Sequence, residues 1–325
     1  MAQKNGIAVA GTVIVDRINE ISAYPQSGEL TQILSIQKAI GGCVPNVALD
    51  LKKINPDLPV RVIGRVGDDA DGAYVRQTLQ DGGLDTTGLY IDQTAPTSFT
   101  EVMSVTGGQR TFFTYSGASA AFGAEDVDFG DTLPEILHLG YFLLLQKVDD
   151  GDGLKILKAA KEKGVRTSID LVSENSDRYA LVKPCLPYTD YLVINEMEAG
   201  MLTGIEPSNA NLQTIAETLK TMGVREKVII HKPDCAVCLS ADGFTMLPSY
   251  LLPSGYIQGT TGAGDAFCAG ALYGIYEGWS DLQILEFASA SAVMALGSAD
   301  ATSGLTNEQK IKDFCGNLPR QNVTV

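Results

Sequence analysis

A run of small residues, Gly259-Thr260-Thr261-Gly262-Ala263-Gly264, ends on a carboxylate, Asp265, and continues into the helical pattern Ala266-Phe267-Cys268-Ala269-Gly270-Ala271-Leu272. Glycines let main-chain N–H groups approach a ligand and converge on it, and a helix start adds partial positive charge, so the run reads as an anion cradle. A carboxylate at its end would repel a phosphate that was merely held. It makes sense where a phosphoryl group is transferred: the amides stabilise charge building on the oxygens while Asp265 accepts the proton of an attacking hydroxyl. The same helix start is expected to keep Asp265 ionised. The plainer alternative is a tight loop capped by an aspartate, which helices commonly use.

Other phosphate motifs are absent. No Gly-Lys pair occurs, which removes the Walker A loop, and no protein-kinase signature is present. A dinucleotide fingerprint fails because Phe267 stands where its third glycine belongs. Cys235 and Cys238, with His231 nearby, invite a metal reading, but residues three apart on an extended strand face opposite sides and no second pair completes four ligands. His138 sits inside an apolar run and is expected to be a hydrogen-bonded core residue. Two histidines allow a Ser-His-Asp hydrolase on arithmetic, without a supporting motif.

The elements that must position these groups alternate. Strand patterns cover Ile7–Val15, Val60–Ile63, Ile136–Leu139, Arg166–Ile169, Tyr191–Ile194 and Val228–Ile230. Helical patterns cover Val44–Ile54, Asp71–Asp81, Leu154–Lys163, Leu212–Met222, Ala266–Tyr276 and Leu282–Leu296. Nearly continuous apolar strands between helices predict an α/β fold with a mostly parallel sheet covered on both faces. Polar residues close three strand patterns, Asp16, Asp170 and Asn195, and ligands of open parallel sheets bind at the strands' carboxyl ends. Two stretches, about 16–39 and 97–115, alternate apolar and polar residues instead, which predicts a small antiparallel sheet standing off the body as a lid. Arg110 begins one of its strands and is either a solvated turn charge or a grip on substrate hydroxyls or phosphate. Of the adjacent Phe112 and Phe113, one is expected to close over substrate and the other to pack.

The chain has 325 residues, 45% hydrophobic and 19% charged, and is expected to form one domain over 1–325. A net charge of −15 repels nucleic acid and anionic membranes, so neither is an expected partner. No run approaches a membrane-spanning length, there is no signal-peptide pattern, and the six scattered cysteines suit reduced, buried thiols, all of which points to the cytoplasm.

The glycine-rich segment resembles the signature D-T-x-G-A-G-D of the PfkB, or ribokinase-like, carbohydrate kinases. Further segments resemble the same family in order: Gly41-Gly42-Cys43-Val44-Pro45-Asn46-Val47-Ala48, Gly64-Arg65-Val66-Gly67-Asp68-Asp69-Ala70-Asp71-Gly72, and Asn195-Glu196-Met197-Glu198. The resemblance implies an ATP- and Mg²⁺-dependent kinase for a sugar, with a nucleoside kinase of the same family and a non-catalytic sugar or nucleotide sensor as alternatives. It implies Asp265 as base and the Gly262, Ala263 and Gly264 amides as anion hole. Asp16, Gly42 and Asn46 match substrate-binding positions. Asn195 and Glu198 match those organising Mg²⁺ and its waters, with Thr261 and Lys232 on the nucleotide side. The family's lid often pairs between two subunits, which implies a homodimer. Gly259 replaces the signature's first aspartate, which in many relatives helps bind a monovalent cation, so that cation is left open here. The segment His231-Lys232-Pro233-Asp234-Cys235-Ala236 also departs from the threonine and glycines that relatives often carry.

Overall fold

The apolar runs lie on two sides of one sheet, because side chains alternate along each strand. In β1 (Ile7–Ala10), Ile7 and Val9 enter one core and Ala8 and Ala10 the other. A computed structural model of the chain describes residues 5–105, 110–130, 132–173, 177–298 and 300–323. Its further strands are β2 (Ile14–Ile21), β3 (Ile33–Gly41), β4 (Val60–Gly67), β5 (Asp85–Asp92), β6 (Phe99–Ser104), β7 (Arg110–Tyr115), β8 (Ile136–Phe142), β9 (Arg166–Leu171), β10 (Tyr191–Asn195), β11 (Lys227–His231), β12 (Cys235–Ser240) and β13 (Gly243–Pro248). The helices are α1 (Cys43–Ile54), α2 (Ala70–Asp81), α3 (Gly153–Glu162), α4 (Glu196–Thr203), α5 (Leu212–Thr221), α6 (Ala263–Tyr276), α7 (Asp281–Leu296) and α8 (Glu308–Cys315).

The large sheet has the order β13-β12-β11-β10-β9-β8-β1-β4-β5, parallel from β11 to β5, with β12 and β13 antiparallel at one edge. Helices α1, α6 and α7 cover one face through Leu51, Phe267 and Leu285, and α3, α4 and α5 cover the other through Leu157, Leu202 and Leu219. Chain order reverses where β1 meets β8, and such a switch point opens a crevice at the carboxyl ends of the strands. On β12, Cys235 faces one core and Cys238 the other, as the three-residue spacing predicts. Among the described residues no helix is long and apolar enough to cross a membrane.

The pattern read as one strand over Ile7–Val15 breaks at Gly11, whose φ is +136° and whose added Cβ would lie 2.6 Å from the Gly140 carbonyl oxygen. The chain turns there into a second, four-stranded sheet of order β3-β2-β6-β7, in which the expected antiparallel pairing holds for β2–β3 and β6–β7 but the central β2 and β6, coming from separate stretches of chain, run parallel. Asp16 therefore lies inside β2 and does not end β1. The third family-like segment roots this sheet. Asp69 caps α2 by accepting from the Gly72 N–H (2.7 Å) and also accepts from the Thr97 N–H (2.8 Å) and hydroxyl (2.7 Å) just before β6. Asp71 pairs with both Arg17 and Lys38, at 2.5 Å each, tying β2 and β3 to α2. Every residue of β7 is exposed, Phe112 by 61% and Phe113 by 59%, so neither phenylalanine packs within the chain.

Candidate active site

The crevice gathers the ends of four neighbouring strands around Asp265. Tyr141 comes from β8, Asp170 from β9, Asn195 from β10 and His231 from β11. Asp265 lies in the first turn of α6 and is 6% exposed. One carboxylate oxygen accepts from Asn46 Nδ2 at 2.9 Å, and the Tyr141 hydroxyl donates to the carboxylate at 3.0 and 3.1 Å. These contacts aim the group but do not keep it ionised. Burial is the largest influence and pushes the Asp265 carboxyl up to about 7; the Asn46 and Tyr141 donors pull it down, while the Asp170 and Asp16 charges push it up. The expectation of a carboxylate held ionised by the helix start is thus corrected: loss of water outweighs it. A group near 7 is well placed to take a proton at neutral pH.

The cradle preceding Asp265 divides its glycines by task. Gly262 has φ +79°, and a Cβ there would lie 2.4 Å from the Ala301 carbonyl oxygen, so the fold itself demands glycine. A Cβ on Gly264 would meet nothing nearer than His231 Cε1 at 3.8 Å and would instead fill the crevice. The Ala263 N–H donates weakly to Thr260 O at 3.4 Å, whereas among the described residues the Gly264 and Asp265 amides have no acceptor. Those free amides at a helix start suit an anion. Thr261 is exposed on the loop beside them.

Two hollows meet here. A cleft of about 590 Å³ holds Asp265, Asp170, Glu198 and Tyr141. A larger trough of about 1630 Å³, mainly apolar and lined by Phe267, Leu252 and Val293, runs away from it, and the two share Asn195, His231 and Gly264. Burial lowers His231 to about 4, so at neutral pH its ring is an uncharged wall, 4.7 Å from the Phe267 ring. A third cavity, beside α7 and α8, shares only Tyr250 with the trough and no lining residue with the cleft.

The Asn195-x-x-Glu198 motif has a local cause: it is a capping box. Asn195 Oδ1 accepts from the Glu198 N–H (2.9 Å) and Glu198 Oε2 from the Asn195 N–H (3.0 Å) at the start of α4. Ser173 adds a bond from its hydroxyl to Glu198 Oε1 at 2.8 Å and accepts from Asn195 Nδ2 at 2.7 Å. Burial pushes Glu198 up to about 8, against the pull of the Asn195 and Ser173 donors. Lys232 lines the trough, but its ammonium is held by Asn209 Oδ1 (2.6 Å) and Asp234 (3.0 Å). It is an anchored residue rather than one reaching for phosphate.

On the other side of Asp265, Asn46 keeps Oδ1 buried and unpartnered. Among the described residues the Asp16 carboxylate has no hydrogen-bond donor, and burial pushes it up to about 6. Its carboxylate fills the space beside Gly41, where an added Cβ would come within 2.3 Å of Oδ2. Gly42, with φ +91°, starts α1 against the Thr12 carbonyl, where a Cβ would come within 2.6 Å. Arg110 is not brought to this place. It pairs with Ser104, four residues along β6 from the Thr100 that faces Asp16, or roughly 13 Å at the rise of a strand. Its 16–39 and 97–115 neighbours form the predicted small sheet, but Arg110 sits at that sheet's far end, and the preceding Gly107-Gly108-Gln109 lies outside the described residues.

Tyr141 was not legible in the sequence as a functional residue. It is held at φ +60°, with Leu143 at +76°, conformations costing non-glycine residues ~1–3 kcal/mol each. Its N–H donates to Asp170 Oδ1 at 2.5 Å, which helps hold it there. The strand-end rule that found Asp170 and Asn195 would have found Tyr141 had β8 been carried past Leu139. The Tyr141 hydroxyl pulls the Asp265 pKa down, so Tyr141→Phe should raise it. The wild-type kcat/KM is expected to rise with pH through about 7, and the variant's acid limb to move to higher pH. An unmoved limb would remove Tyr141 from the site.

The family model "pfkB family carbohydrate kinase" matches residues 4–308. Ribokinase of Arabidopsis thaliana is 27% identical over 312 residues, covering 94% of this chain and 79% of that protein. The 5-dehydro-2-deoxygluconokinase of Clostridium perfringens is 25% identical over 300 residues, covering 88% and 86%. The structure of Arabidopsis ribokinase complexed with ribose and ATP superposes with a TM-score of 0.82 at 22% identity, covering 96% of this chain and 99% of that one.

Proposed function

The chain belongs to the pfkB family of carbohydrate kinases, and from that premise we propose that it transfers the γ-phosphoryl group of ATP to a hydroxyl of a small sugar, with Asp265 as general base. The observation that carries this reading is the position of Asp265, buried where the cleft opens to an apolar trough, beside free helix-start amides, the unpartnered Oδ1 of Asn46 and the nearby Asp16 carboxylate. The trough suits a nucleobase, and the Gly264 gap suits the phosphates. Asp16 and Asn46 Oδ1 accept from sugar hydroxyls, with Gly42 shaping the floor beneath them. Asp265 then takes the proton of the attacking hydroxyl while the Gly264 and Asp265 amides stabilise the transferred oxygens.

The oxygen donors near the phosphate end fit Mg²⁺, which prefers hard ligands and keeps several waters. Both Glu198 oxygens already accept one bond each, so Glu198 and Asn195 would hold the metal's waters rather than the ion itself. When bound, Mg²⁺ neutralises charge on the phosphates.

ADP release measured over a panel of sugars and nucleosides, with and without K⁺, tests the assignment. A sugar is expected to give the highest kcat/KM; a nucleoside in that place would move the chain to the family's nucleoside kinases, and ATP binding without ADP formation from any acceptor would make it a sensor. The exposed Ile33, Leu34, Ile36 and Phe112 on the small sheet also support a homodimer through the lid. Sedimentation is expected to show a dimer, lost on Phe112→Asp together with Ile36→Asp; a monomeric wild type at micromolar concentration would refute the pairing.

A further inference from the structure

One buried cluster borders the cleft of the proposed transfer, and two of its members, His138 and Cys268, have no role in it. His138 on β8, Asp170 on β9 and Cys268 on α6 are all buried, and a nitrogen, an oxygen and a sulfur of theirs lie within 4.8 Å of one another. His138 Nε2 is 3.4 Å from Asp170 Oδ2 and 3.6 Å from Cys268 Sγ. This one ring nitrogen is shared between a carboxylate oxygen at a distance long for a hydrogen bond and a thiol sulfur at an ordinary one. The opposite ring nitrogen, Nδ1, is 3.1 Å from Ser168 Oγ, which fixes the ring. Asp170 Oδ1 is taken by the Tyr141 N–H, leaving Oδ2 for this cluster. A tetrahedral zinc-class ion with ordinary bond lengths separates N from O by about 3.3 Å and N from S by about 3.5 Å.

We propose that His138, Asp170 and Cys268 form a binding site for a soft divalent cation of the zinc class, with its fourth position open to the cleft. Both Asp170 and Cys268 border that cleft, which supplies the entry path. The mixed nitrogen, sulfur and oxygen donors select against Mg²⁺ and for zinc-like ions. Ser168 supplies the outer hydrogen bond that a metal-bound histidine needs on its other nitrogen. On binding, Cys268 gives up its S–H proton to solvent and a metal–sulfur bond replaces it. Cys268 lies one turn beyond Asp265 on α6. A dication there favours the ionised form of Asp265 and weakens it as a proton acceptor; this consequence, inhibition of turnover by zinc at saturating Mg²⁺ and ATP, rests on the proposed role of Asp265.

Titration of the nucleotide-free, reduced protein with Co²⁺ tests the site without reference to turnover. One Co²⁺ per chain is expected, with a thiolate-to-cobalt charge-transfer band and the visible bands of a tetrahedral ion. Cys268→Ala should abolish the charge-transfer band while Cys315→Ala, which removes a remote buried thiol, keeps it. Cys268→Ser, closer in shape, serves if the alanine variant does not fold and should lose the same band. Absence of the band in the wild type, or its survival in either Cys268 variant, would overturn the proposal. Sugar phosphorylation without added zinc is measured in parallel: its failure would count against the kinase reading and leave the cobalt result standing.

Discussion

Asp265→Asn is expected to lower kcat by about 10²–10⁴-fold while ATP binding persists, the loss typical of a missing general base. The substitution keeps size and leaves one oxygen to accept from Tyr141 and Asn46, so what disappears is the capacity to take a proton. The same variant is expected to be more stable than the wild type above neutral pH. The Asp265 carboxyl is raised from 3.8 to about 7 by burial, so the folded state binds its proton more tightly than the unfolded chain does. Folding stability therefore falls as pH rises between those two values, and the ionised residue remains a burden above the upper one. The neutral amide carries no such burden. Thermal melts at alkaline pH should show a higher Tm for Asp265→Asn beside its lost turnover, and a lower Tm would contradict the account of its burial.

Gly264→Ala and Gly262→Ala should fail in different ways. A Cβ on Gly264 enters open crevice, touching only the edge of His231 at 3.8 Å, so the variant should fold with a Tm near the wild type. Its methyl occupies the space assigned to the phosphates, and a displacement of about 1 Å in a reacting group costs on the order of 10² in rate. The expected result is a fall in kcat/KM for ATP of about that size. Gly262→Ala meets the Ala301 carbonyl at 2.4 Å and requires φ +79° of a residue with a side chain, at a conformational cost of ~1–3 kcal/mol before any clash. It should lower Tm first. If Gly264→Ala turned over ATP normally, the phosphates would not lie against that glycine.

The parallel sheet and its flanking helices were legible because buried strands such as Tyr191–Ile194 read as unbroken apolar runs. Helices such as Asp71–Asp81 fell within one residue of the observed Ala70–Asp81. The small sheet was legible from alternation, but the parallel pairing of β2 with β6 was not, because alternation does not show strand direction. The first strand was not, because Ile7–Val15 is apolar on both sides of a bend that only the φ of Gly11 reveals. Within the site, Asp265 and the glycines announce themselves by type and spacing. Asn46 was legible as a candidate site residue, but not its grip on Asp265, which depends on α1 packing on α6 more than two hundred residues away in the chain. Lys232 misleads in the opposite sense: its charge and place suggest phosphate, and only the folded chain shows Asp234 and Asn209 holding it. The raised pKa of Asp265 belongs to the same class, since desolvation is a property of the assembled crevice.

The most direct test is a single-turnover measurement of sugar phosphate formation by Asp265→Asn, with ATP and the preferred sugar saturating, from acid to alkaline pH. A slow rate without the wild type's rise through neutrality is the predicted result. A rate close to the wild type's, or one that keeps that rise, would contradict proton removal by Asp265.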